Sequence, residues 1–150
     1  MLQTGSNIDS IPGVIKAIEE LKPKSLIDIG AGHGKYALLC AEYVRGLELI
    51  DIVEPKFDIE TNVYNTLYQD KIQDFEFERE YDVALLTAVM GKFKKKEGLE
   101  ILHKIMMNCE HTVFTIEKIS HGTDTQWYPI DFKDFNLTGK ELPHEWLLWL

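Results

Sequence analysis

The segment Leu26-Ile27-Asp28-Ile29-Gly30-Ala31-Gly32-His33-Gly34-Lys35 constrains this chain more than any other. Its run of branched apolar residues suits a strand covered on both faces. The glycines that end it can turn through left-handed backbone without a Cβ penalty, which lets a ligand approach the main chain. From Lys35 to Val44 the residues are too apolar for a helix on an open surface, and Gly46 is placed to close that helix. Strand, glycine turn and helix in this order put helix N–H groups beyond the carboxyl end of a strand, where α/β sheets bind ligands. The spacing is Gly-x-Gly-x-Gly. A dinucleotide fingerprint wants its third glycine where Lys35 stands, so a pyrophosphate cradle fits less well.

The rest of the chain alternates between the two periodicities. Asp9 or Ser10 can cap a first helix, with Pro12 in its first turn and Ile11, Val14, Ile15, Ile18 and Leu21 along one face. Leu47 to Val53 reads as a second strand ending at Glu54-Pro55, Asp58 to Tyr68 as a helix and Ile72 to Phe77 as a third strand. Tyr81 to Thr87 is a strong fourth strand, followed by a helix with the stripe Leu99, Leu102, Ile105 and Met106. Thr112 to Ile116 is a fifth. Parallel neighbours need crossover helices, so the sheet is expected to be doubly wound and mostly parallel. After a short helical stretch at Pro129 to Phe135 the tail breaks the alternation. Leu137 to Leu142 and Glu145 to Leu150 flank Pro143-His144 at hairpin spacing, which makes the end of the sheet antiparallel. The last run, Trp146-Leu147-Leu148-Trp149-Leu150, is too apolar for an edge and belongs inside the sheet.

Composition narrows the function classes. The 150 residues make one α/β domain, 1–150, without repeat or linker. With 16 Lys plus Arg against 25 Asp plus Glu the net charge is −9, which disfavours non-specific nucleic-acid binding. Cys40 and Cys109 form no metal-binding or disulfide pattern, no segment reads as a leader or a membrane span, and a cytoplasmic location is the expectation. Asn136-Leu137-Thr138 is a chance glycosylation match in that setting.

Glu54, at the end of the second strand, adds a second position to the glycine turn: a carboxylate there can accept hydrogen bonds from ribose hydroxyls. With these residues in place the chain resembles class I S-adenosylmethionine-dependent methyltransferases. The resemblance runs from Ile27-Asp28-Ile29-Gly30-Ala31-Gly32-His33-Gly34 through Val53-Glu54-Pro55 and Tyr81-Asp82-Val83-Ala84-Leu85-Leu86 to the terminal hairpin. It implies a Rossmann-like sheet with S-adenosylmethionine as cofactor. By the same resemblance Asp28, Gly30, Gly32, His33 and Gly34 surround the methionine end, Glu54 holds the ribose, and Gln73, Asp74 and Phe75 read the adenine. Gly5-Ser6-Asn7-Ile8-Asp9 and Trp127-Tyr128-Pro129-Ile130-Asp131-Phe132 resemble a bacterial or phage subgroup. Such relatives often carry an acid and then Glu-His after the fourth strand; here that stretch is Ala88-Val89-Met90-Gly91-Lys92-Phe93. The motifs of amino-directed and cytosine-C5 DNA methyltransferases are absent, so a nucleic-acid substrate is not expected.

The remaining acid–base candidates near the ends of strands four and five are Thr87, Lys92, Glu117, His121 and Asp124. Of these, His121 is best matched to neutral pH and is the first catalytic candidate, with Lys92 the second. The expected reaction is methyl transfer to an oxygen or nitrogen of a small-molecule or carbohydrate-like acceptor. The alternatives are a non-catalytic protein that binds S-adenosylmethionine or S-adenosylhomocysteine, and an NAD-linked protein. Several residues have structural readings beside these. Asp28 can cap a helix or pair with Lys35, His33 can be a plain turn residue, and Trp127 can be core or pocket wall. Lys92 with Lys94, Lys95 and Lys96 can be a solvated run, and His103, His111 and His144 are expected on an exposed face or in loops. With no insertion long enough for a lid, the acceptor side is expected to be open or completed by a partner such as a second copy of the chain.

Overall fold

The computed structural model describes residues 8–32, 35–42, 44–51, 66–118 and 126–149. Through them the chain forms α1 (Ile11–Leu21), β1 (Ser25–Ile29), α2 (Lys35–Cys40), β2 (Gly46–Asp51), β3 (Thr66–Gln69), β4 (Tyr81–Leu86), α3 (Lys95–Met106), β5 (Cys109–Glu117), β6 (Thr138–Glu141) and β7 (Glu145–Trp149). The strands make one seven-stranded sheet in the order β3-β2-β1-β4-β5-β7-β6. The first five are mutually parallel, while β7 runs antiparallel to both β5 and β6. The order reverses direction between β1 and β4, which places the ligand crevice of such a sheet at their carboxyl ends.

Alternation along the strands divides the core into two. Leu26, Val83, Leu85, Val113 and Leu147 pack on one face against Val14, Ala17 and Ile18 of α1 and Tyr36 and Cys40 of α2. Ile27, Ile29, Ala84, Leu86, Phe114 and Leu148 pack on the other against Ile101, Leu102 and Ile105 of α3, together with Trp127 and Phe132. Each fully buried Ile, Leu or Val of these layers contributes about 1.5–3 kcal/mol. Leu147 and Leu148 enter opposite cores, which explains why β7 is apolar at successive positions and lies between β5 and β6.

Local signals behave unevenly. Pro12 sits in the first turn of α1, and Lys22 closes the helix in left-handed conformation, its N–H donating to Ile18 O at 3.1 Å. Ser10 does not cap that helix with its side chain: the buried hydroxyl donates instead to Glu145 Oε2 at 2.7 Å, 135 positions away. α2 ends at Cys40 rather than Val44, and Gly46 opens β2, where its N–H donates to Lys24 O. The third strand lies at Thr66–Gln69, not at Ile72 to Phe77, so the end of the expected helix is strand and the expected strand is turn and loop. The alternating Phe75 and Phe77 that suggested a strand form an edge-to-face ladder with Tyr68 and Tyr81, which buries them without strand pairing. His111 lies on β5 rather than in a loop.

Candidate functional site

β1 ends in a turn fastened to the end of β2. The N–H groups of Gly30 and Ala31 both donate to Ile50 O, at 2.7 and 3.2 Å, and that of Gly32 donates to Asp51 Oδ2 at 2.7 Å. Gly30 and Gly32 have φ of 71° and 57°, in the left-handed region. Their surroundings differ. A Cβ on Gly30 would lie 2.6 Å from Val89 Cγ2, whereas one on Gly32 would meet nothing within 4 Å among the described residues. Gly30 is therefore glycine for packing as well as for φ, while Gly32 keeps open space above the turn. Val89 reaches Gly30 from the segment after β4, where Ala88 takes φ 55° and its N–H donates to the hydroxyl of Thr115 at 3.0 Å. Strain at a non-glycine residue held by a side chain of the neighbouring strand is typical of a shaped binding site.

Beneath the turn lies Asp28, 1% exposed, on the sheet face covered by α1 and α2. Neither of its carboxylate oxygens has a hydrogen-bond partner among the described residues. Burial, and then the charge of Asp51, pushes its pKa up to about 7. Burial pushes the Cys40 thiol up to about 12 and the Tyr36 hydroxyl higher still, with Asp28 adding to both and Glu145 ahead of it at Tyr36.

On the opposite, α3-covered face a cavity of about 260 Å³ opens at the carboxyl ends of the strands. Gly30, Ile50 and Asp51 contribute to its wall from the β1 and β2 ends, Asp70 to Gln73 from the turn after β3, and Val89, Lys92 and Phe93 from the segment after β4. The buried side chains Ile50, Ile72, Val89 and Phe93 give it an apolar lining with charged groups at few points.

Of the residues singled out from the sequence, the structure thus brings Gly30 and Lys92 to the cavity, Gly32 to the open side of the turn and Asp28 to the layer below. His33, Gly34, Glu54 and His121 lie outside the described residues. Asp74 and Phe75 do not line the cavity: Phe75 is buried between Tyr68 and Phe77, and Asp74 is exposed, its N–H donating to Lys71 O. With β3 ending at Gln69, Asp70 to Gln73 line the cavity, so of Gln73, Asp74 and Phe75 only Gln73 reaches it. Trp127 is core, stacked on Phe132 with ring centroids 5.3 Å apart and pressed against Gly98. Asp51, which accepts from the Gly32 N–H and contributes to the cavity wall, is a residue the sequence reading passed over. Its signal was a lone acid inside the apolar run Leu49-Ile50-Asp51-Ile52-Val53. Among the described residues no helix is long and apolar enough to cross a membrane.

No protein-family model and no curated sequence matches the chain. Solved structures do. Magnesium protoporphyrin IX methyltransferase ChlM from Synechocystis PCC 6803, with bound S-adenosylmethionine, superposes with TM-score 0.70 at 13% identity, covering 94% of this chain and 76% of that one. N-methyltransferase NodS from Bradyrhizobium japonicum WM9, in complex with S-adenosylhomocysteine, gives 0.69 at 12% identity over 97% and 92% of the two chains. The fold is that of the class I methyltransferases. A third example, the 1,6-didemethyltoxoflavin-N1-methyltransferase from Burkholderia thailandensis, with bound 1,6-didemethyltoxoflavin and S-adenosylhomocysteine, gives 0.72 at 14% identity, covering 95% of this chain and 77% of that one. On a class I methyltransferase sheet the cavity described above opens where β1 and β2 end, beside the reversal in strand order.

Proposed function

We propose that the chain binds S-adenosylmethionine across the glycine turn and transfers its methyl group to an oxygen or nitrogen of a small-molecule or carbohydrate-like acceptor. The observation that carries the reading is the buried carboxylate of Asp28, without a hydrogen-bond partner among the described residues, beneath a turn where no described residue crowds Gly32. A buried carboxylate without a partner is costly, and a cationic ligand is the partner that would relieve it. The residues fit such a ligand. Asp28, Asp51 and the Gly30 to Gly34 turn would hold the charged amino-acid end, Glu54 the ribose, and the apolar lining at Ile50, Ile72, Val89 and Phe93 the adenine.

The sulfonium supplies an already activated methyl group, so the protein's work is in-line positioning and, for some acceptors, removal of a proton. Lys92, on the cavity wall, can orient an acceptor by charge and hydrogen bonding, and His121 is the base proposed for acceptors that must lose a proton. A specific observation favours the non-catalytic alternative: the segment after β4 presents buried Val89, Met90 and Phe93, with Lys92 as its charged side chain, where related chains often carry an acid and Glu-His. Calorimetric titration with S-adenosylmethionine and S-adenosylhomocysteine, with NAD as control, tests the site. A radiolabelled transfer screen then tests the reaction. Binding of both adenosyl ligands with transfer to at least one hydroxyl or amine acceptor is the expected result. Binding without any transfer across a broad panel would leave a cofactor-binding protein, and no binding would remove the proposal.

A further inference from the structure

The turn after β3 that forms part of the cavity wall is gripped from outside by α3. Lys104 Nζ donates to the carbonyl oxygens of Ile72 and Gln73, at 3.2 and 3.3 Å. Glu97, seven residues and about two helical turns earlier, accepts at Oε1 from Gln73 Nε2 at 3.1 Å. Within the turn, the N–H groups of Asp74 and Phe75 both donate to Lys71 O at 3.0 Å. An ammonium on a flexible stem can satisfy two adjacent carbonyls with charge-assisted hydrogen bonds, and its place in the last turn of α3 also suits the helix dipole.

The same helix begins immediately after Met90–Lys92 and Phe93, so it is joined covalently to a second stretch of the cavity wall. One rigid element therefore sets two parts of the wall: Val89 to Phe93 through the chain, and Ile72 with Gln73 through Lys104 and Glu97. The apolar side chains of both stretches, Ile72, Val89 and Phe93, are buried and share one core.

We propose that Lys104 is a positioning residue that keeps the Ile72–Gln73 turn at a fixed spacing from the Val89–Phe93 segment, and so makes the cavity selective for a flat, nucleobase-sized group. This rests on the reading of the cavity as an adenosyl site. Lys104 is half-buried and its contacts hold one short turn, so the effect of losing them falls mainly on that turn.

The test compares wild type, Lys104→Met and Lys104→Arg by calorimetric titration with 5′-methylthioadenosine and S-adenosylhomocysteine, by melting temperature, and by amide hydrogen exchange at Asp74 and Phe75. Lys104→Met is expected to weaken both ligands about tenfold, to speed exchange of the two amides, and to leave the melting temperature within about 2 °C. Lys104→Arg is expected to restore affinity to within about threefold of wild type, because it keeps the charge and the donors. A wild type that binds while Lys104→Met binds equally well overturns the positioning role alone. So does an affinity loss in both variants that merely follows a fall in melting temperature. A wild type that binds neither ligand overturns the adenosyl-site reading, and the positioning role with it.

Discussion

Asp28 and Glu145 are each 1% exposed, yet their surroundings differ. Glu145, opposite Glu117 at the start of β7, accepts a hydrogen bond from Ser10 and so ties the entry of α1 to the final strand. A third buried carboxylate, Glu48 on β2, is likewise met by Arg79 and by the Tyr81 hydroxyl. Asp28 has no hydrogen-bond partner among the described residues, and its pKa rises to about 7. Two carboxylates are met by side chains of the fold, and the third has no such partner among the described residues. A buried carboxyl without a partner among the described residues is a sharper pointer to a binding site than burial or acidity alone.

The largest way to break this comparison is to remove the satisfied acid. Glu145→Ala strands the Ser10 hydroxyl and opens a void, and should cost about 3 kcal/mol in urea denaturation. A loss below about 0.5 kcal/mol would show that the pair does not hold the N-terminal helix in place. Asp28→Asn should act with the opposite sign. The folded chain keeps a proton on Asp28 that the unfolded chain, with its carboxyl near 3.8, has released, so wild-type stability falls as pH rises from about 4 to about 7. Removing that titration should make the variant more stable than wild type by a few kcal/mol at pH 8, with the gap closing toward pH 4. Parallel stability–pH curves for the two proteins would mean that Asp28 is answered inside the chain after all. The smallest expected change in stability comes at Gly32. Gly32→Ala meets no neighbour among the described residues but must hold φ 57°, so it should cost about 1 kcal/mol in folding. It should nevertheless lower S-adenosylhomocysteine affinity more than about tenfold, because the methyl fills the space kept for the ligand. Unchanged affinity in a titration would place the ligand elsewhere.

Much of this architecture was legible because its signals are local and redundant. Leu26 to Ile29 followed by glycines, the β4 run and the doubly apolar β7 each state their burial in the sequence, and parallel pairing with its crossovers follows from their order. β3 was not legible, because Phe75 and Phe77 carry a strand-like alternation for a different reason, an aromatic ladder that closes the edge of the core. Ser10 has the chemistry of a helix cap, but its hydroxyl serves a residue at the far end of the chain, a contact that no local pattern encodes. The site divides in the same way. Gly30 and Gly32 are readable from spacing. The roles of Asp51, Val89 and Thr115 exist only once β1, β2, β4 and β5 are side by side. Lys104 and Glu97 carry no local signal that sets them apart, and only the folded turn shows what they hold.

The claim beneath all of this is that the glycine turn and the cavity beside it receive one adenosyl ligand. A crystal structure grown with S-adenosylhomocysteine tests it most directly. The account predicts the nucleoside against Ile72, Val89 and Phe93, the amino-acid end over Gly30 and Gly32 on the side of Asp28, and the sulfur facing open space. Ligand density at any other place on the sheet, or a cavity that stays filled by the protein's own side chains at saturating ligand, would contradict it.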